Sequence, residues 1–156
     1  MIDVRIPGFG RLRLEHLVCD HNGTLAMDGR LAKDVASALS RLSGSLEIHV
    51  VTGDTFGDAR QRLAHLPCRV TVLPARGQAA AKRAYVAKLG RARTVCLGNG
   101  RNDRLMVKDA ALGIALIERE GASSETVRNA DIVCRSPRDA LDLLLNTKRL
   151  IATLRS

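Results

Sequence analysis

Four short segments of this chain carry side chains that would do chemistry if the fold brought them together. The apolar run Leu17-Val18-Cys19 leads straight into Asp20, followed by His21-Asn22-Gly23-Thr24. A carboxylate at the tip of a buried strand is costly unless it is paired, hydrogen-bonded or bound to a metal. Gly23 lets the backbone turn sharply, so main-chain N–H groups can face an anion. A second apolar run ends in Thr52-Gly53-Asp54, where a hydroxyl and a glycine amide can bind oxygens of the same anion. Lys82 stands early in a helical stretch and offers a positive charge. A further run ends in Gly98-Asn99-Gly100-Arg101-Asn102-Asp103, whose amide and carboxylate oxygens suit a hard cation. Each segment alone is weak, because Asp-x-x-Gly-Thr can be a turn and Asn-Gly is a common hairpin. Four of them in this order, each following its own strand, are a specific signal.

The elements that must position them follow from periodicity. Strand patterns fall near 2–6, 12–19, 46–52, 69–73, 93–97, 112–117 and 131–134, and helical patterns near 32–43, 55–66, 77–89, 102–109, 122–129 and 137–155. Val35, Ala38, Leu39 and Leu42 form one helical stripe, and Ser136-Pro137 is a natural start for the last helix, whose buried face is Leu141, Leu144 and Leu145. Apolar strands alternating with helices predict a mainly parallel sheet covered on both faces, a three-layer α/β sandwich. Residues 1–14 predict an added β-hairpin turning at Gly8-Phe9-Gly10. In such a sheet, ligands bind at the carboxyl ends of the strands, which is where the four segments lie. We expect residues 1–156 to form a single domain.

On these residues the chain resembles the haloacid dehalogenase (HAD) superfamily, over about residues 17–135. The likeness is greatest to the phosphorylation domain of P-type ATPases. Asp20-His21-Asn22-Gly23-Thr24 looks like their D-K-T-G-T, Thr52-Gly53-Asp54 like their T-G-D, and Gly98-Asn99-Gly100-Arg101-Asn102-Asp103 like their G-D-G-x-N-D. Lys82 with Val86 and Leu89 repeats their K-x-x-x-V-x-x-L spacing, and Ala130-Asp131-Ile132-Val133 resembles their A-D-I-V strand. The resemblance implies a Rossmann-like fold and an aspartyl-phosphate on Asp20. It implies phosphate binding by Gly23, Thr52, Gly53 and Lys82, and a Mg2+ ion held by Asp20, Asn22 (through its carbonyl), Asn99 and Asp103. His21, Asn102 and Arg101 would flank the site. Membrane helices and a nucleotide domain, which a pump needs, find no counterpart in the sequence.

Two departures matter. HAD phosphatases usually carry a second Asp two residues after the nucleophile, as acid and base; here it is Asn22, which cannot shuttle protons. Asn99 replaces a usual metal-binding Asp, removing one negative charge. The stretches from Thr24 to Thr52 and from Thr52 to Lys82 are too short for a cap domain. The site is therefore expected to be open, gated at most by a flap at Met27-Asp28-Gly29 and shielded by a neighbouring copy in a homo-oligomer.

Composition narrows the classes. Apolar residues make up 46% of the 156, enough for a packed core, but aromatics only 2%, so aliphatic side chains must build it. The net charge of +9 suits a phosphorylated ligand or nucleic acid, and equally well describes solvated helix faces. The scarcity of stacking aromatics argues against single-stranded nucleic acid. Cys19, Cys68, Cys96 and Cys134 form no C-x-x-C pair and read as buried, reduced thiols. His16, His21, His49 and His65 show no metal-ligand spacing. With no membrane-length apolar run and no signal-like start, a cytoplasmic protein is expected. Two functions stay in view: a magnesium-dependent phosphohydrolase, slowed by Asn22, and a non-catalytic phosphate-sensing or regulatory protein built on the same pocket.

Overall fold

The computed structural model describes residues 1–27, 30–53 and 58–156. The chain opens with a hairpin, β1 (Ile2–Ile6) and β2 (Gly10–Leu14), paired antiparallel. Then follow β3 (His16–Asp20), a short flap of β4 (Ala26–Met27) and β5 (Arg30–Leu31), helix α1 (Lys33–Leu42) and β6 (Glu47–Thr52). Helix α2 (Asp58–Arg62), β7 (Cys68–Val72), α3 (Gln78–Leu89) and β8 (Thr94–Gly98) come next. The remainder is α4 (Arg104–Asp109), β9 (Leu112–Leu116), α5 (Ser124–Asn129), β10 (Ile132–Cys134), α6 (Pro137–Leu145) and α7 (Thr147–Leu154). The central sheet has six strands in the order β10-β9-β8-β3-β6-β7, and every pair is parallel.

Side chains alternate across β3 and its neighbours. Leu17, Cys19, Ile48, Val50, Val95 and Leu97 join the larger core with α1 and α6; Val18, Val51 and Cys96 join a smaller one with Val86 of α3 and Met106 and Val107 of α4. The α1 stripe Val35, Ala38, Leu39 and Leu42 is buried as its spacing requires. Each fully buried leucine there contributes about 1.5–3 kcal/mol relative to exposure. The hairpin adds Val4, Ile6, Leu12 and Leu14 to the larger core, with Gly8 in the left-handed conformation its turn requires (φ 80°).

Two continuous patterns in the sequence are interrupted in the fold. The run 12–19 is two strands that meet at Glu15. There the backbone leaves the hairpin for the central sheet: Glu15 N–H donates to Arg93 O (2.8 Å) and Glu15 O accepts from Glu47 N–H (2.8 Å). The last helix breaks at Asn146 (φ −128°, ψ 82°), after Ser136 has capped its start through Asp139 N–H. Leu141 and Leu144 are buried and Leu145 is half-buried. The flap strands flank the predicted turn, whose residues Asp28 and Gly29 lie outside the described residues, as do Asp54 and the start of the predicted helix at 55–66. Between β3 and β6, and between β6 and α3, the described residues hold no inserted domain, so the fold is capless as expected. No helix among the described residues is long and apolar enough to cross a membrane.

Candidate active site

In strand order the chain runs outward from β3 to β6 and β7, then returns to the other side of β3 with β8, β9 and β10. The reversal lies between β3 and β8, where open α/β sheets bind ligands beyond the strand ends. Asp20 ends β3 and the loop 98–103 follows β8, so the topology itself brings the first and fourth segments together.

Local geometry then fixes the side chains. His21 O accepts the N–H groups of Leu25 and Ala26, each at 3.0 Å, which winds the chain into a tight turn after Asp20. Gly23 sits in this turn at φ 73°, and a Cβ there would lie 2.7 Å from Asn99 Nδ2 and 2.5 Å from Glu120 Oε2. At Gly98 a Cβ would come within 2.5 Å of Asp103 Cβ, so glycine is what lets the loop fold back on the strand end. The loop curls around the Asp103 carboxylate, whose Oδ2 accepts Asn99 N–H (3.1 Å) and Gly100 N–H (2.9 Å).

Lys82 reaches in from α3 on that helix's buried face. Its Nζ, fully buried, donates to Asp20 Oδ1 and Asp103 Oδ1, each at 2.6 Å. Two buried carboxylates thus share one ammonium. Burial pushes the Asp20 carboxyl above its ordinary range, against the pull of Lys82. Burial and then repulsion from Asp20 push Asp103 up to about 6. Burial pulls Lys82 down, but the two carboxylates outweigh it and its pKa is raised.

Asp20, Asn22, Thr52 and Gly53 line a cavity of about 300 Å³ beside this trio, with Asn99 and Asn102 on the β8 side. Larger hollows of about 630 and 600 Å³ lie away from the carboxylates; the site is placed by its chemistry, not by volume. Thr52 is buried at the end of β6, while Asn22 is exposed over the opening. Asn99 is held as a strut, its Oδ1 accepting from Thr24 Oγ1 (3.2 Å) and its Nδ2 donating to Gly121 O (3.2 Å). Asn102 Nδ2 donates to Gln78 Oε1 (2.7 Å). His21 is buried in the turn, and Arg101 turns away to Glu125 (2.8 Å).

Two lining residues escape the sequence reading, Gln78 and Glu120. Gln78 lies one helical turn before Lys82, so the helix period could have found it. Glu120 lies in the loop after β9, a strand end that the same search rule covers. A third group is drawn together at the opposite end of the sheet. His16, Glu47 and His49 place one ligating atom each within 4.8 Å of one another, although no histidine spacing along the chain suggests it.

No family model matches the chain. Among curated proteins, an uncharacterised protein of Methanocaldococcus jannaschii is 54% identical over 61 residues, 39% of this chain and 66% of that protein. Among solved structures, the chain is similar to a 3-deoxy-D-manno-octulosonate 8-phosphate phosphatase of Moraxella catarrhalis, described in complex with magnesium, phosphate and the KDO sugar. That likeness has a TM-score of 0.71 at 18% identity, over 91% of this chain and 94% of the other. A HAD superfamily (subfamily III A) hydrolase of Legionella pneumophila gives 0.71 at 17%, over 90% and 87%. The cobalt-bound octulosonate phosphatase of Haemophilus influenzae gives 0.71 at 14%, over 92% and 94%. At such identities the likeness is one of fold, and the fold is that of the haloacid dehalogenase superfamily phosphatases.

Proposed function

We propose that this protein is a magnesium-dependent phosphohydrolase of the HAD type, working through an aspartyl-phosphate on Asp20. The observation that carries the reading is Lys82 clamped between Asp20 and Asp103 at the sheet's reversal point, beside a cavity lined by Thr52 and Gly53. The residues fit a hard cation. The donors are all oxygen, and two buried carboxylates share one ammonium, leaving one negative charge for a cation to balance. Asp20, Asp103, the Asn22 carbonyl and Asn99 would hold Mg2+, which when bound supplies charge neutralisation for the phosphoryl oxygens.

This chain's own residues do the rest. An Asp20 oxygen attacks phosphorus and the ester P–O bond breaks, while Thr52, the Gly53 amide and Lys82 hold the phosphoryl group. The departing alkoxide takes a proton from water, because Asn22 has none to give. Water then attacks the acyl phosphate, releasing phosphate and restoring the Asp20 carboxylate. Without a base at position 22 this second step is slow. The neighbours described with magnesium, cobalt and phosphate support the metal and the phosphorylated substrate. The capless site supports a homo-oligomer in which a second copy shields the opening. The four unpaired thiols accord with a reducing cytoplasm. The P-type-like motif order supports an alliance of this domain with the pump phosphorylation domains.

A screen of phosphate esters with and without Mg2+, alongside Asp20→Asn, tests this. Mg2+-dependent phosphate release that vanishes in a folded Asp20→Asn protein is the expected result; equal release by that variant would sink it. One observation favours a second reading, a non-catalytic phosphate-sensing or regulatory protein: both ends of the Asn99 amide are committed to Thr24 and Gly121. Calorimetric binding of phosphate by a protein without turnover would select it.

A further inference from the structure

Parallel pairing sets His16 of β3 directly beside Glu47 of β6, and the two-residue period of the strand returns His49 to the same face. His16 Nδ1 lies 3.3 Å from His49 Nε2 and 3.3 Å from Glu47 Oε2, and His49 Nε2 lies 3.7 Å from the same carboxylate oxygen. A triangle with those sides has a point about 2.0 Å from all three corners, the length of zinc–nitrogen and zinc–oxygen bonds. Two of the three remaining polar atoms on the ligands are held from outside. His49 Nδ1 lies 2.9 Å from the Tyr85 hydroxyl of α3, and Glu47 Oε1 is ion-paired with Arg69 Nη2 at 2.6 Å. A partner on the far ring nitrogen is what metal-ligating histidines have, because it fixes the tautomer that presents a lone pair to the ion.

We propose that His16, Glu47 and His49 form a divalent metal site of the zinc class that clamps β3 to β6 at the end of the sheet opposite Asp20. Two imidazoles and one carboxylate select zinc, cobalt or nickel over magnesium. His49 is buried, but His16 and Glu47 are partly exposed, so solvent reaches the cluster and would supply the fourth ligand. Ligation needs both ligating ring nitrogens free of protons and the carboxylate ionised, so metal uptake releases protons and tightens as pH rises. An ion held by the native sheet and not by the unfolded chain raises stability in proportion to the logarithm of its concentration over Kd.

The test uses the full chain and Zn2+ or Co2+ alone, with no activity measurement, so its outcome is separate from that of the phosphatase reading. Calorimetry, the visible absorption of Co2+ and thermal unfolding are followed for the unaltered protein and for Asp20→Asn, His16→Gln, Glu47→Gln and Tyr85→Phe. His16 and Glu47 are less buried than His49, and their amide variants are the ones that keep the fold. The expected result is one equivalent of ion and a raised unfolding temperature in Asp20→Asn, and in the unaltered protein that same equivalent beside any ion taken up at Asp20 and Asp103. That equivalent and its stabilisation should be lost in His16→Gln and Glu47→Gln, and its affinity should fall about tenfold or more in Tyr85→Phe, as when an outer partner of a ligating histidine is removed. Absence of binding by the unaltered protein overturns the proposal. So does an undiminished number of bound ions in His16→Gln and Glu47→Gln, or the loss of all binding in Asp20→Asn.

Discussion

The two ends of one sheet face carry two polar clusters of opposite character. At the carboxyl end, Asp20, Lys82 and Asp103 are closed in, with two acids to one base and contacts of 2.6 Å. At the amino end, His16, His49 and Glu47 are looser, their ligating atoms 3.3–3.7 Å apart, and Glu47 opens to solvent. Between them lies the small apolar core of Val18, Val51 and Cys96 under α3. The same helix serves both ends, with Lys82 reaching one and Tyr85 the other. The difference teaches where charge is expensive. The carboxyl end holds ionised groups out of water and depends on their balance, whereas the amino end joins two imidazoles to a carboxylate that is partly exposed and paired with Arg69.

The largest effect should follow from upsetting that balance. Lys82→Met leaves two buried carboxylates without their counter-ion, a loss of about 3–5 kcal/mol by the general cost of breaking a buried pair, together with all phosphatase activity. His16→Gln in metal-free protein removes one partly exposed ring contact and should cost no more than about 1.5 kcal/mol. Urea unfolding of both variants in chelator measures the contrast, and equal losses would erase the distinction between the two ends.

Legibility in the sequence divides along the same line. The carboxyl-end cluster is readable because each member sits at a strand end or in a helix and its segment has a motif; the sheet reversal between β3 and β8 then does the assembling. Element positions agree to within one or two residues at most ends, as in β1 and α1, but the helix predicted to reach residue 66 ends at Arg62. The breaks at Glu15 and Asn146 are not readable, because they arise where hydrogen-bond partners change, and partners are tertiary information. Helix α3 shows no clean apolar stripe since Lys82 occupies its buried face beside Val86. The amino-end cluster has no signal at all. Only the register that pairs His16 with Glu47 creates it, and residues 16, 47 and 49 share no local pattern. Cys68 is half-buried where a buried thiol is expected, because it starts an edge strand.

A middle-sized effect concerns Asn22, which is exposed over the cavity and adds no charge to the crowded end. Asn22→Asp would supply the missing base and raise steady-state turnover, by up to about 10²–10⁴-fold if hydrolysis of the acyl phosphate limits the rate. Trapped phosphoenzyme after a rapid quench should fall in step. The new carboxylate also brings like charge toward Asp20 and raises its pKa further, so the gain should be greatest at alkaline pH. Lower turnover, with no phosphoenzyme in either form, would move weight to the binding-protein reading.

The smallest effect is on the pH dependence of the metal-free protein. Asp103 titrates at about 6 in the folded chain against 3.8 ordinarily, so between those values the native state holds more proton than the unfolded one. Stability then falls as pH rises through that window. Asp20 is shifted in the same direction and adds to the slope. Lys82 is raised above its ordinary 10.5, so its contribution is complete throughout this range and is lost only at strongly alkaline pH. Exposed acids such as Asp3 and Glu125, lowered chiefly by hydrogen bonds from arginines, act with the opposite sign, so the whole-protein profile alone cannot isolate the site. The difference between the unaltered protein and Asp103→Asn can. It should decline from pH 4 to pH 6 in chelator, because the variant has lost the group that titrates. Saturating Mg2+ should flatten that decline, since an ion needing both carboxylates ionised replaces the proton as the compensating charge. His16→Gln, at the other end of the sheet, should leave the difference unchanged. Parallel profiles for the unaltered protein and Asp103→Asn would mean that the two acids are balanced by something other than Lys82 and a cation.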